Sequence, residues 1–447
     1  MDNEKEDQAM PTEDNVNDST LEVLDAQEEK SDKKQSKVLR IINEYKLKRE
    51  IKAADTDVIF REPISAQRAE PPKPLHKGSI DTWFFIWAAL LVCFGAVMSY
   101  SASAVYAETR YGSSTYFLVR YIGFTAAAIV PTVLAIVFFR PWHWRIFGAA
   151  SYAVCIPLLL WVRIAGDTGG GAQRWIAIGP ITIQPSEIAK MAIVLVLAIY
   201  MSKYEKEMNS RHTFGGGFKH GFFVPMLFIG ALCALVIIQP HLSGTIIVGM
   251  IGLVMMFLGG THPKWLLIFL AIIAVAGGVF LLFFGYSVER VEIWLHIDEV
   301  DPLGQAWQTL QGLYAIGSGG FFGVGLGGSR QKFGYVSQPQ NDFVFTIICE
   351  ELGFVGAFFV IFLFCMLIWR GIKIGQRAAD RFSALVIWGL TFKIALQVLL
   401  NIAVVTNSMP NTGISLPFFS SGGTSLMLQI FEIGIILSLS RFSAQEQ

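Results

Sequence analysis

Ten apolar runs, at about 83–99, 118–138, 146–163, 186–201, 222–238, 243–259, 265–285, 343–369, 382–405 and 423–440, constrain this chain more than any other feature. A helix needs about 20 predominantly apolar residues to cross a bilayer, and most of these runs approach that length. In hydrocarbon the chain must satisfy its own backbone N–H and C=O groups, which leaves helices and closed barrels. The alternating short strands of a barrel are not evident. The expected fold is therefore all-α: a polytopic membrane protein with about ten transmembrane helices. Composition agrees, with 53% hydrophobic residues against 16% charged and a mean hydropathy of +0.50. At Gln239-Pro240-His241 the pattern allows either a turn between two helices or a kink within one. All five cysteines lie in apolar runs without a CxxC pair, which argues against disulfide staples and cysteine metal sites.

Residues 1–80 read as a cytoplasmic, largely disordered tail. Met1–Lys30 holds eleven acids against two lysines, and Ser31–Glu50 holds seven basic residues against three acids. Within it, 37–51 could form a short amphipathic helix. No signal peptide precedes the first span, so the tail is expected to stay inside. The basic residues then orient the chain. With the tail inside, Arg140, Arg145, Lys203, Lys206, Arg211, Lys219, Lys264, Arg370, Lys373, Arg377, Arg381 and Arg441 all fall on the inner side. Segments 101–117, 164–185, 286–342 and 406–422 fall outside. The expected organisation is a tail at 1–80, a membrane domain at 81–441 with a large extracellular loop at 286–342, and a second cytoplasmic tail at 442–447.

The outer segments hold the residues that could do chemistry. In AGDTGGGAQRWIAIGPITIQPSEIAK, Pro185 followed by Ser186 and Glu187 reads as a helix start. Lys190 then sits about one turn inside a span, where a charge must be paired, solvated or functional. Glu187 and Lys190, three residues apart, can form a simple internal pair. Alternatively, Arg174 and Lys190 present positive charge to an anion such as a diphosphate. In QPHLSGT, His241 is either a hydrogen-bonded structural residue or a phosphate contact. The long loop ends in a run of glycines and holds Asp301-Pro302-Leu303-Gly304, a turn that would hold one carboxylate in a defined place and let it act as a base. After Asp342, Glu350 and Glu351 lie inside a span. They either face a polar cavity or pair with Lys190 or Lys393. In NSMPNTGISLPFFSSGGTSL, Ser420, Ser421 and Thr424 could offer hydroxyls at a helix start, a natural place for an anion; tight helix packing explains the same small residues.

Taken together, AQRWIAIGPITIQPSEIAK, QPHLSGT, DPLGQAWQ with AIGSGGFFGVGLGGSRQKFGYVSQPQNDFVFTIICEELG, and PNTGISLPFFSSGGTSL resemble the SEDS family, whose members are FtsW, RodA and SpoVE. The resemblance spans roughly 80–441 and leans to the FtsW/SpoVE branch. It implies a ten-helix glycosyltransferase that polymerises lipid II at the outer face of the cytoplasmic membrane, at the division septum, beside a class B penicillin-binding protein and other divisome proteins. It implies a catalytic role for Asp301 and contacts to substrate or diphosphate from Arg174 and Lys190, which Ser420, Ser421 and Thr424 would join by their own chemistry. Glu187, His241, Asp342 and Glu350 would form the supporting polar core. Many members carry Asp where His241 stands and Tyr where Ser421 stands. Undecaprenyl diphosphate would be the leaving group. A divalent cation, magnesium or manganese, could assist its departure, although no ligand set stands out. No nucleic acid partner is expected. Two other readings fit the same buried charges: a lipid II flippase, and a scaffold without activity.

Overall fold

The computed structural model describes residues 78–169, 172–179, 181–208, 216–239, 241–283, 292–297, 304, 306–337, 339–420 and 423–442. The N-terminal tail, Asp301 and Ser421 lie outside the described residues, as does the end of the chain after Phe442.

Eleven helices carry the fold among the described residues. They are α1 (Thr82–Tyr111), α2 (Tyr116–Phe138), α3 (Pro141–Ala165), α4 (Pro185–Lys203), α5 (Val224–Ile237), α6 (Leu242–Gly259), α7 (Pro263–Phe283), α8 (Trp307–Ser318), α9 (Val344–Gln376), α10 (Arg381–Val405) and α11 (Gly423–Ser440). Among the described residues, nine segments are long and apolar enough to cross a membrane; α7 supplies a shorter apolar stretch. The helix ends follow local chemistry. The Asp81 side chain accepts a hydrogen bond from the Phe84 N–H at 2.9 Å and starts α1, and Gly112, at φ 70°, stops it. Pro185 occupies the first position of α4, where its missing N–H costs nothing. The alternatives around Gln239 resolve as a turn: α5 ends at Ile237, α6 begins at Leu242, and the two helices pack together.

Helices α4, α10 and α11 form the centre, and most of each is buried. Helices α2 and α3 present large apolar side chains outward, among them Val119, Ile122, Phe138, Trp161 and Ile164. The helices alternate in direction. One end of the bundle gathers Arg140, Arg145, Lys264, Arg370, Lys373, Arg377, Arg381 and Arg441. Ion pairs knit this basic end together: Arg145 with Asp380 at 3.0 Å and Arg370 with Asp81 at 2.9 Å. The opposite end holds the start of α4 and, tied together by hydrogen bonds, Ser243 and Thr412, and Thr182 and Thr424.

Three features depart from expectation. The first span does not stop near residue 99 but continues as helix to Tyr111. Its extra turns bury Ser101, Ala102, Ser103 and Ala107, small residues packed on protein rather than lipid, so hydropathy alone does not mark them. Second, the segment after α3 is not a plain loop. It forms a three-stranded antiparallel sheet of β1 (Asp167–Gly169), β2 (Ala172–Ile178) and β3 (Ile181–Ile183). Asp167 pairs with Trp175 and Ile178 with Ile181, and Gly179 turns the β2–β3 hairpin at φ 62°. The β-branched and aromatic letters of RWIAI and ITI suit such a surface. Third, α9 is broken at Gly353 (φ 65°, ψ −161°).

Candidate functional site

The first part of the site lies at the start of α4. Lys190 Nζ donates to Glu187 Oε1 at 2.6 Å, and both side chains are almost wholly buried. The three-residue spacing places the two groups on one helix face. Arg174, on β2, and Lys190 lie close enough to His241, just before α6, for their charges to act on it. Burial first, then Arg174 and Lys190, pull the His241 imidazole from its ordinary value of 6.5 down to about 3. The ring lies across the start of α6, where a Cβ on Gly244 would come within 2.6 Å of its Nδ1. That Nδ1 is buried with no hydrogen-bond partner among the described residues.

The structure adds two residues that sequence reading left outside the site. Lys393 of α10 and Glu432 of α11 form an ion pair, and neither side chain is exposed. The charges of Glu187 and Lys190 bear on both. Four ionisable groups from α4, α10 and α11 thus make one buried quartet, two acids and two lysines. A basic residue in the middle of a long apolar run was the available signal for Lys393, and an acid within FEIGIIL was the signal for Glu432.

Glu350 and Glu351 do not join this quartet. The alternative pairing with Lys190 or Lys393 fails because each lysine already has a nearer acid. Glu350 accepts from the Ser329 hydroxyl and from the Arg330 N–H at 2.9 Å. Glu351 accepts from Lys332 Nζ at 2.9 Å and from Ser101 Oγ at 2.5 Å. The two acids therefore hold the glycine-rich loop against α9 and α1. Backbone pairing reinforces them: Val324 N–H donates to Glu350 O, Gly325 N–H to Glu351 O, and Phe354 N–H to Gly320 O, each near 3 Å. Glu350 is thus a support of that loop rather than a member of the polar core around Glu187.

The segment before α11 joins the other parts. Ser243 of the QPHLSGT motif donates to Thr412 O. Asn401 Nδ2 bridges Asp342 O at 2.8 Å and Ile414 O at 2.7 Å. The Asp342 carboxylate approaches Gly413, where a Cβ would sit 3.2 Å from Oδ2. Trp294 Nε1 donates to Asn407 O at 3.0 Å. Ser420 is half-buried at the end of this segment. The Thr424 hydroxyl donates to Thr182 O on β3 at 2.7 Å and fastens the sheet to α11. Among the described residues, no three His, Cys, Asp or Glu side chains are grouped to hold a metal ion.

A polytopic helical membrane protein with paired charges buried among its central helices is the class these features define. The chain matches the family described as cell cycle protein, FtsW/RodA/SpoVE, over residues 81–445. It is 38% identical over 371 residues to stage V sporulation protein E of Bacillus subtilis strain 168, covering 82% of this chain and 98% of that protein. It is 34% identical over 376 residues to the probable peptidoglycan glycosyltransferase FtsW of Trichlorobacter lovleyi, covering 82% and 95%. A chain from a peptidoglycan synthase complex, described as coordinating polymerization and crosslinking, superposes with a TM-score of 0.65 at 26% identity, covering 81% of this chain and 98% of that one. The rod shape determining protein RodA of Thermus thermophilus shares the fold, with a TM-score of 0.60 at 24% identity and coverage of 82% and 98%. The chain belongs to the FtsW/RodA/SpoVE family.

Proposed function

We propose that this protein is a peptidoglycan glycosyltransferase that polymerises lipid II at the outer face of the cytoplasmic membrane, with a role in septum formation. The observation that carries this reading is its match to FtsW relatives along the whole membrane domain, at 34% identity for the Trichlorobacter lovleyi protein. The charge distribution supports the orientation: the basic end of the bundle belongs inside, which turns the sheet, His241 and the 406–420 segment outward and leaves both termini in the cytoplasm. A class B penicillin-binding protein is the proposed partner, in keeping with the polymerization and crosslinking named for the similar complex.

The proposed reaction is the one the family resemblance implies, with residues of this chain in its roles. The 4-hydroxyl of the acceptor N-acetylglucosamine attacks the anomeric carbon of the donor N-acetylmuramic acid with inversion. Asp301 takes the hydroxyl proton as general base. The bond from that carbon to the diphosphate oxygen breaks, and undecaprenyl diphosphate departs with the electron pair. Arg174 and Lys190 stabilise the charge that develops on it, joined by Ser420 and Ser421 at the helix start. Glu187, His241 and Asp342 hold these groups in place.

The test is polymerisation of purified lipid II in liposomes by wild type and by Asp301→Ala, each with and without the cognate class B penicillin-binding protein. Glycan formed only when Asp301 is intact is the expected result. Equal glycan from both removes Asp301 from the mechanism. No glycan from either, together with lipid II movement across the liposome membrane, replaces the enzyme with a transporter.

A further inference from the structure

The buried quartet holds more charge than a single diphosphate contact requires. Lys190 has Glu187 as its partner at 2.6 Å. An anion that engages Lys190 must therefore compete with Glu187. If the quartet were only that pair, the competition would leave Glu187 as an uncompensated carboxylate inside the protein, which strongly opposes the exchange. Lys393 lowers this cost, because its ammonium can be shared between Glu187 and Glu432. Its charge already acts on Glu187, and it is held by Glu432 against the same cluster. One oxygen of each acid, Glu187 Oε2 and Glu432 Oε2, is buried with no hydrogen-bond partner among the described residues. Each acid thus retains an acceptor for a second lysine.

Lys190 also sits where exchange can happen. It lies five residues into α4, about 7.5 Å below the first residue of the helix, on the side of the bundle that carries β2 and His241. Lys393 is deeper, twelve residues from either end of α10, and has no comparable access to a ligand arriving from that end.

We propose that Lys393 and Glu432 are positioning residues for diphosphate binding: when the anion takes Lys190, Glu187 passes to Lys393, and Glu432 holds that lysine in reserve until then. The inference rests on the reading that Lys190 binds the diphosphate of a lipid-linked substrate. No covalent bond is made or broken in the exchange: two acids face two lysines before the anion arrives, and afterwards Lys190 faces the anion while Lys393 is shared by both acids.

Opposite effects from the two members distinguish this role from simple packing. Glu432→Gln frees Lys393 to hold Glu187 before ligand arrives, so Lys190 stands ready and the anion binds more tightly. Lys393→Met leaves two acids competing for Lys190, so the anion binds more weakly. Each shift should be about tenfold, the size expected for a unit charge several ångströms away at an effective dielectric of about 20. Lys393→Arg keeps the charge and should bind like wild type.

The experiment is isothermal titration calorimetry of farnesyl diphosphate, with farnesol as the uncharged control, against the full chain in detergent. Tighter binding by Glu432→Gln and weaker binding by Lys393→Met support the exchange. Loss of affinity in both, or no change in either, overturns it. Should Lys393→Met fail to fold, Glu432→Gln decides alone: tighter binding supports the proposal, and equal or weaker binding overturns it. Lipid II polymerisation is assayed in parallel with wild type and its class B penicillin-binding protein. Binding with the predicted pattern but no glycan rejects the glycosyltransferase reading and leaves the exchange standing. Glycan without any binding of farnesyl diphosphate does the reverse.

Discussion

His241 illustrates how one buried side chain shapes the response to pH. Its folded value of about 3 lies below the ordinary 6.5. Below pH 6.5 the unfolded chain binds a proton there that the folded chain refuses. Stability is therefore unaffected above 6.5 and declines as pH falls toward 3, by about 1.4 kcal/mol per pH unit. Melting of the detergent-solubilised protein between pH 7.5 and 5 should show this decline, and His241→Gln should reduce it. A flat difference between the two proteins across that range would contradict the assignment. Glu351 acts differently, through pairing. Glu351→Gln leaves the Lys332 ammonium buried without its carboxylate, a loss of about 3–5 kcal/mol, read as a lower melting temperature in detergent. The adjacent EE in the sequence announced a buried polar function for both acids. It could not say which lysine each would meet, because a partner distant in sequence is chosen by packing.

At the scale of elements, the broken helix α9 and the glycine-rich loop form one unit. Gly353 has φ 65°, and a Cβ there would lie 2.3 Å from Gly323 N and 2.6 Å from Phe321 O. Gly353→Ala therefore combines backbone strain of about 1–3 kcal/mol with loss of the close approach that lets the loop pair with α9. The expected outcome is faster proteolysis within 319–336 than in wild type, with the bundle still assembled. Unchanged proteolysis would mean the loop is held by other contacts. The small sheet between α3 and α4 teaches a related lesson. RWIAI and ITI carry the strand pattern, visible once the turn at Gly179 is placed between them. Thr424 completes the element by donating to Thr182 O at 2.7 Å. A hydroxyl near a helix start has several acceptors within reach, and its choice follows from the neighbouring strand.

At the scale of the whole molecule, the alternation of helices predicts a topology that can be measured. Single cysteines placed at Ser113 and at Ala378, in a chain lacking its native cysteines, should react with a membrane-impermeant thiol reagent from opposite sides of the cell membrane, Ser113 from outside. Labelling of both from one side would reject the orientation. The helical, membrane-spanning character of the chain was legible in its sequence, because apolar runs of spanning length have few other solutions. So were family membership and the motifs that gather toward one end, since they are strings of local residues. Tertiary structure alone decided that α1 runs on to Tyr111, that Glu350 and Glu351 clamp a loop, and that Lys393 and Glu432 complete a quartet with Glu187 and Lys190. The reason is physical. Hydropathy reports whether a residue can lie in lipid or core, whereas the partner of a buried charge is fixed by which helices pack together, and that information is spread across the chain.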